Sequence, residues 1–212
     1  ITWTTGTIYE MYRPDYSINK LSPQTNSSSL YKANFYVMNS DFRVYECIYN
    51  GASPSNSGGG VISLEEPTHT DLQPRLESDG YIWKYLYTIK PSDIIKFDSA
   101  EFIPVPANWT TNPNVSDVRN AAVDGKIETI VIEDVTNATY QFSGTKNAVP
   151  IRGDGSDGLA SVTFINGKPS AVQVTNGGSG YSFGTLDLDD VVTGSGASFS
   201  VIVPPPGGHG AD

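Results

Sequence analysis

The chain is poor in the residues that do metal, redox or disulfide chemistry. Among 212 residues there is one cysteine, Cys47, and two histidines, His69 and His209. A single cysteine excludes an internal disulfide, so packing or partners must hold the fold. Structural zinc needs three or four soft ligands at short spacing, and these three residues are widely separated. Positive charge is scarce as well: 13 Lys and Arg stand against 23 Asp and Glu, a net charge of −10. That balance excludes nucleic acid and an anionic membrane as main partners. No window approaches the roughly eighteen consecutive apolar residues of a membrane span, and Ile1–Tyr9 carries no basic-then-apolar leader. The start at Ile1 without methionine, and the end in Pro204-Pro205-Pro206-Gly207-Gly208-His209-Gly210-Ala211-Asp212, read as the edges of a piece of something longer.

Turn formers and aromatic rings are plentiful instead. With 21 Gly, 14 Pro and 17% charged residues, the composition lies between ordinary globular protein and turn-rich β protein. All three Trp and ten of the twelve Tyr precede residue 111, and the remainder is dominated by Gly, Ser, Thr, Val and Asp. Two packing styles imply two parts. The fold class expected is mainly β: an antiparallel aromatic-rich domain over 1–110, a linker or short helix over 111–124, two stacked Gly-rich β repeats over 125–203 (125–164 and 167–203), and a Pro/Gly-rich linker over 204–212.

Within the first part, Tyr31–Asn39 and Phe42–Asn50 read as a hairpin turning at Ser40-Asp41. The run Tyr81–Ile89 puts Tyr81, Trp83, Tyr85, Tyr87 and Ile89 on one pleat face and Ile82 and Leu86 on the other, a strand buried on much of both sides. Gly51–Gly80 is long enough for a functional or contact loop. Helices are expected from Pro91, where proline suits the first helical position, and over Ser116–Val123.

The second part repeats itself with a period of about forty residues. Gly125–Tyr140 aligns with Gly167–Tyr181, and Gly155–Phe164 aligns with Gly194–Val201. Each copy has an alternating run (Ile127, Thr129, Val131; then Ala171, Gln173, Thr175), a tight turn before a Tyr, a Gly-rich loop and a closing strand. Such a unit must join its neighbour to bury its face.

Tests for chemistry mostly fail. Gly153-Asp154-Gly155-Ser156-Asp157-Gly158 spells G-x-G-x-x-G, but the residues after it alternate like a strand, so no helix N-terminus would receive a pyrophosphate. Arg152-Gly153-Asp154 is a common tripeptide at a turn. No G-x-S-x-G elbow exists, His69 reads as an exposed loop residue, and His209 sits in a flexible-looking tail. The acids Glu65-Glu66, Glu133-Asp134 and Asp187-x-Asp189-Asp190 form no specific pair, because neighbours on a strand point to opposite faces. No catalytic residue, cofactor or metal is expected. Flat rings supply large contact area at low entropy cost, so Trp3, Tyr85, Tyr87 and Trp109 are the candidate partner contacts.

Three stretches of the first part, Val44-Tyr45-Glu46-Cys47-Ile48-Tyr49-Asn50-Gly51, Glu65-Glu66-Pro67-Thr68 and Ser78-Asp79-Gly80-Tyr81-Ile82-Trp83-Lys84-Tyr85-Leu86-Tyr87, resemble the baseplate wedge subunits of contractile-tailed bacteriophages. Tyr36-Val37-Met38-Asn39 fits the same pattern, and the D-G-Y-x-W-x-Y-L-Y stretch is its most specific part. The repeats over 125–203 look like the Gly-Gly-Ser-Gly-Tyr β modules of phage virion proteins. They extend beyond the shorter wedge pattern. The resemblance implies a non-enzymatic virion protein of the tail baseplate, made in the bacterial cytoplasm. Its implied partners are other wedge proteins and copies of itself as a homo-oligomer. The rival expectations are a receptor- or glycan-binding module of a tail fibre and a glycan-cleaving tail enzyme.

Overall fold

Strands rich in aromatic and β-branched residues can bury both faces, and two of them organise the first part of the chain. In a computed structural model the protein is described over residues 1–97 and 102–211, apart from the side chain of Asn114. It is mainly β, with 34% strand and 12% helix, and it divides into two compact units. One holds residues 1–51, 60–122 and 209–211, and the other holds 52–59 and 123–208. The units meet at 51/52, 59/60, 122/123 and 208/209, where the sequence placed boundaries at 110/111, 124/125 and 203/204. The Gly-rich start of the long loop belongs to the second unit.

The first unit is a four-stranded antiparallel sheet. Its strands are β1 (Tyr36–Met38), β2 (Arg43–Tyr49), β3 (Arg75–Leu76) and β4 (Ile82–Thr88), in the order β1-β2-β4-β3. β2 and β4 are the central pair, with Glu46 opposite Lys84 and Cys47 opposite Trp83. Five successive residues of each are buried. The expected hairpin forms, and the Asn39 carboxamide oxygen holds its turn by accepting from the Asp41 and Arg43 N–H groups. Its first strand is shorter than the run Tyr31–Asn39. Leu30–Lys32 is a single 3₁₀ turn, and the Asn34 N–H donates to the Glu10 carboxylate at 2.5 Å instead of entering a ladder. Trp83 is fully buried, stacked on Tyr81 at 5.3 Å and met edge-on by Tyr9 at 5.6 Å. Full burial of each such ring contributes about 1.5–3 kcal/mol. Helices α1 (Pro91–Phe97) and α2 (Pro113–Ala121) follow; α2 begins three residues before the expected Ser116, with its own proline in the first turn. Val115 and Val118 are its buried face.

The second unit contains β5 (Thr129–Asp134), β6 (Gly144–Gly153), β7 (Ser156–Ile165), β8 (Lys168–Ser179), β9 (Gly184–Leu186) and β10 (Ser198–Ile202). Its two sheets, β8-β7-β6-β9 and β10-β5, are antiparallel, and β5 runs beside β8 while β10 runs beside β9, giving a barrel-like ring. The repeat explains the topology. The first strand of each copy pairs with the closing strand of the other: β8 with β7, and β5 with β10. Even the register corresponds, since Val162 lies opposite Val172 and its counterpart Val201 lies opposite Ile130. The copies therefore join by reciprocal strand exchange about a pseudo-twofold. In β8 the inward set is Val172 and Val174, and the run Ala171, Gln173, Thr175 alternates with it on the exposed face. Ile127, Thr129 and Val131, by contrast, are all buried.

Glycine makes the exchange geometrically feasible. The Tyr181 N–H donates to the Gly125 carbonyl at 3.2 Å, and the Tyr140 N–H donates to the Gly167 carbonyl at 2.9 Å. A Cβ on Gly125 would lie 2.2 Å from the Tyr181 nitrogen, and one on Gly167 would lie 2.5 Å from the Tyr140 oxygen. Both glycines have positive φ, +61° and +75°, which side chains rarely adopt.

Candidate functional site

The four aromatic residues expected to face a partner are mostly occupied within the first unit. Tyr85 and Tyr87 are buried rather than surface-facing. The Tyr85 hydroxyl lies 2.8 Å from Thr88 Oγ1, and the Tyr87 hydroxyl donates to the Pro104 carbonyl at 3.0 Å. The cause is the double-sided burial of β4, which leaves no alternate face for display. Trp3 and Trp109 are half-buried. Trp3 Nε1 donates to Ser63 Oγ at 3.1 Å, and Trp109 Nε1 donates to the Ala211 carbonyl at 3.2 Å. Large apolar side chains are exposed elsewhere: Ile95 at 86%, Phe97 at 62%, Phe102 at 71% and Val105 at 71%, with Ile18 and Tyr31 at two further turns. The signal for the exposure of Ile95 and Phe97 was in the sequence. α1 is too short to bury more than one side of Ile94-Ile95-Lys96-Phe97, and only Ile94 packs against the core.

Both histidines depart from expectation. His209 is buried at 5% exposure, with Nδ1 2.8 Å from Glu46 Oε2 and its ring edge-on to Tyr12 at 5.1 Å. The segment that looked flexible is thus anchored on β2. Glu46 lies opposite Lys84, itself almost fully buried, whose Nζ donates to the Leu72 carbonyl. Local sequence could not reveal this cluster, because the three residues are up to 163 positions apart. A charge at Glu46 and Lys84 inside a strand otherwise built from rings and aliphatics was the available hint.

His69 is buried rather than exposed, against the Tyr45 ring at 5.4 Å, and neither ring nitrogen makes a well-formed hydrogen bond among the described residues. Burial pushes its pKa down, and Asp71, 3.9 Å away, offsets this only in part. Cys47 is buried, and desolvation pushes its thiol well up, which makes it an unreactive core residue.

Several carboxylates serve as local caps. Glu66 accepts from the Ser40 N–H at 2.7 Å, and Asp79 accepts from the Leu64 and Glu65 N–H groups at 2.9 and 3.0 Å. Asp154 accepts from the Ser182 hydroxyl and N–H, which hold its carboxyl down at about 2. Arg152 pairs with Asp190, so the Arg-Gly-Asp tripeptide is a brace of the barrel-like unit. The G-x-G-x-x-G stretch turns β6 into β7, as the sequence indicated. Asp187 accepts from the Asp189 N–H at 2.9 Å. Among the described residues no three His, Cys, Asp or Glu side chains converge as a metal site would. None of the described helices is long and apolar enough to cross a membrane. A cleft of about 220 Å³ lined by Thr88, Lys90, Asp93, Pro104 and Asn112 lies below the roughly 300–1,000 Å³ of ordinary ligand pockets. Compared with family models, curated proteins and solved structures, the chain matches none.

Proposed function

We propose that the chain is a structural component of a phage tail baseplate wedge, a non-enzymatic virion protein that works by joining other wedge proteins and copies of itself. The observation that carries this reading is the stretch Asp79–Tyr87. The residues on which the resemblance to wedge subunits rests are the residues that build the central strand, with Tyr81, Trp83, Tyr85 and Tyr87 all buried. A resemblance lodged in fold-determining positions is stronger support than one scattered over loops. The individually exposed side chains Ile95, Phe97, Phe102 and Val105 add to it, since apolar side chains gain about 25 cal/mol per Å² when a partner covers them.

The glycan-reader rival needs displayed indoles, whereas Trp83 is buried and Trp109 is half-buried with its N–H engaged. The glycosidase rival needs two carboxyl groups about 5–10 Å apart across a cleft, and of the candidate acids Glu66, Asp134 and Asp187 act as local caps on the Ser40, Thr136 and Asp189 N–H groups. The test is gold-labelled antibody against this chain on intact virions of the encoding phage, imaged by electron microscopy before and after tail contraction. Gold at the baseplate is expected. Gold at fibre tips would replace the wedge reading with the receptor-binding one, and virions without label would remove both.

A further inference from the structure

Three Asn-Gly pairs lie in the chain, Asn50-Gly51, Asn166-Gly167 and Asn176-Gly177. A glycine after asparagine leaves the next backbone nitrogen unshielded, so that it can reach the thermolabile carboxamide. What decides reactivity is how firmly each pair is held. Asn50 is buried, and its Nδ2 donates to the Tyr9 carbonyl at 2.8 Å. Asn176 is exposed, but its Oδ1 accepts from the Gly178 N–H at 3.1 Å, and the buried Gly177 accepts the Ile127 N–H at 3.0 Å within β8. Asn166 differs. It is exposed at the two-residue turn between β7 and β8, closed by the Ile165–Lys168 pair, with φ +50° at Asn166 and +75° at Gly167. Among the described residues neither the Asn166 carboxamide nor the Gly167 N–H has a hydrogen-bond partner. The anchors of the turn, the Asn166 N–H on Ser143 Oγ and the Tyr140 N–H on the Gly167 carbonyl, lie on either side of these two groups.

We propose that Asn166-Gly167 is a self-modification site, at which the Gly167 nitrogen attacks Asn166 Cγ and expels ammonia. The amide proton leaves with the ammonia, and the product is a five-membered succinimide that joins the Gly167 nitrogen to both carbonyl carbons of Asn166. Closure needs rotation about the Asn166 Cα–C bond, which local opening of so short a turn allows. Water then opens the ring, with no oxidant or cofactor required. Attack at Cγ restores the main chain with an aspartate side chain. Attack at the main-chain carbon leaves isoaspartate, whose backbone runs through Cγ and is one carbon longer. The repeat separates the two products. Asn166 is the counterpart of Asp124, which precedes Gly125 and accepts from the Gly207 N–H at 2.7 Å. An aspartate at 166 therefore reproduces what the other copy already has. Isoaspartate lengthens a turn whose Gly167 lies so close to Tyr140 that a Cβ would stand 2.5 Å from its carbonyl oxygen, and so loosens one half of the pseudo-twofold lock.

The test incubates the full chain, folded and in denaturant, at mildly alkaline pH and follows each Asn-Gly peptide by mass spectrometry with electron-transfer fragmentation, which tells aspartate from isoaspartate. In the folded chain Asn166 is expected to convert first. Asn50 and Asn176 should lag it by about tenfold or more, the factor that one hydrogen bond imposes on local opening, and in denaturant the three rates should converge. Brief proteolysis of the aged sample should leave aspartate in the resistant fraction and isoaspartate in the cleaved one. Asn166→Asp should melt as the unmodified chain does, and Asn166→Gln, whose extra methylene disfavours the ring, should abolish conversion at this turn. Asn50 or Asn176 converting as fast as Asn166 in the folded chain, or Asn166 unchanged there while the denatured chain converts, would overturn the site. Equal isoaspartate in both proteolytic fractions would overturn the loosening of the lock.

Discussion

The two units reach stability by opposite means. The aromatic unit relies on large side chains and single-use polar locks: Tyr81 on Trp83, Glu10 holding Thr25 and Asn34, and Glu46 holding His209. The barrel-like unit relies on close approach of backbone, where two copies of one pattern interlock through Gly125 with Tyr181 and Gly167 with Tyr140. The contrast shows what each kind of sequence can vary. The first unit should tolerate backbone changes in its turns but not the loss of a ring, and the second should tolerate the trimming of surface side chains but not the addition of a methyl group.

The largest effect expected is from Trp83→Ala. Removing a fully buried indole that stacks on Tyr81 should destabilise the aromatic unit by about 3–5 kcal/mol. Hydrogen exchange measured strand by strand checks it: amides of β2 and β4 should lose protection while those of β7 and β8 keep theirs. Equal loss in both sets would break the comparison.

Next come paired glycine substitutions in the barrel-like unit. Gly125→Ala forces a Cβ onto the Tyr181 backbone in a positive-φ conformation and should cost about 3 kcal/mol. Gly180→Ala, with similar φ but nothing within 4 Å of its Cβ, should cost about 1 kcal/mol. Denaturant melts followed by circular dichroism separate the two. The pseudo-twofold sharpens the expectation, because Gly167→Ala should resemble Gly125→Ala and not Gly180→Ala. A loss between these two is expected from Tyr181→Phe. Its hydroxyl donates to the Ile151 carbonyl at 2.9 Å and accepts from the Gly158 N–H at 3.1 Å, so both groups would be left buried without it, at about 1–3 kcal/mol.

What the sequence revealed follows the same divide. The repeat was legible because interlocking copies must use the same residues twice, and its Gly and Tyr positions are the ones that touch. Strand β4 was legible because its composition leaves no polar face. The manner of joining was not, since exchange and side-by-side stacking need the same alternation and differ only in which strand lies next to which. Least legible was the first unit's polar chemistry. His69 and His209 carry no local mark of burial, and their surroundings come from β2, β4 and distant loops. Tyr85 and Tyr87 were misread as partner contacts for a related reason: an aromatic-rich strand looks alike whether one face is displayed or both are covered.

The smallest effects expected are in pH dependence, and they too separate the units, because both histidines lie in the aromatic one. Burial lowers the His69 pKa in the folded state. As pH falls below the unfolded value of about 6.5, the unfolded chain takes up a proton that the folded chain refuses. Stability of the aromatic unit therefore declines as pH falls from 7 and levels off only below the lowered folded value. In the barrel-like unit Asp154 has the opposite history: hydrogen bonds from Ser182 hold its carboxyl at about 2, so its contribution is intact above the unfolded value of about 3.9 and is lost as pH falls through about 2. Protection of β2 and β4 amides should thus weaken between pH 7 and 5.5, while that of β7 and β8 stays level. His69→Phe, which keeps the ring and removes the titrating nitrogens, should flatten the first trend. Since His209 is present in both chains, the difference between them isolates His69. An unchanged slope in His69→Phe would overturn the assignment to His69 and move the acid-sensitive point of the aromatic unit away from its long loop.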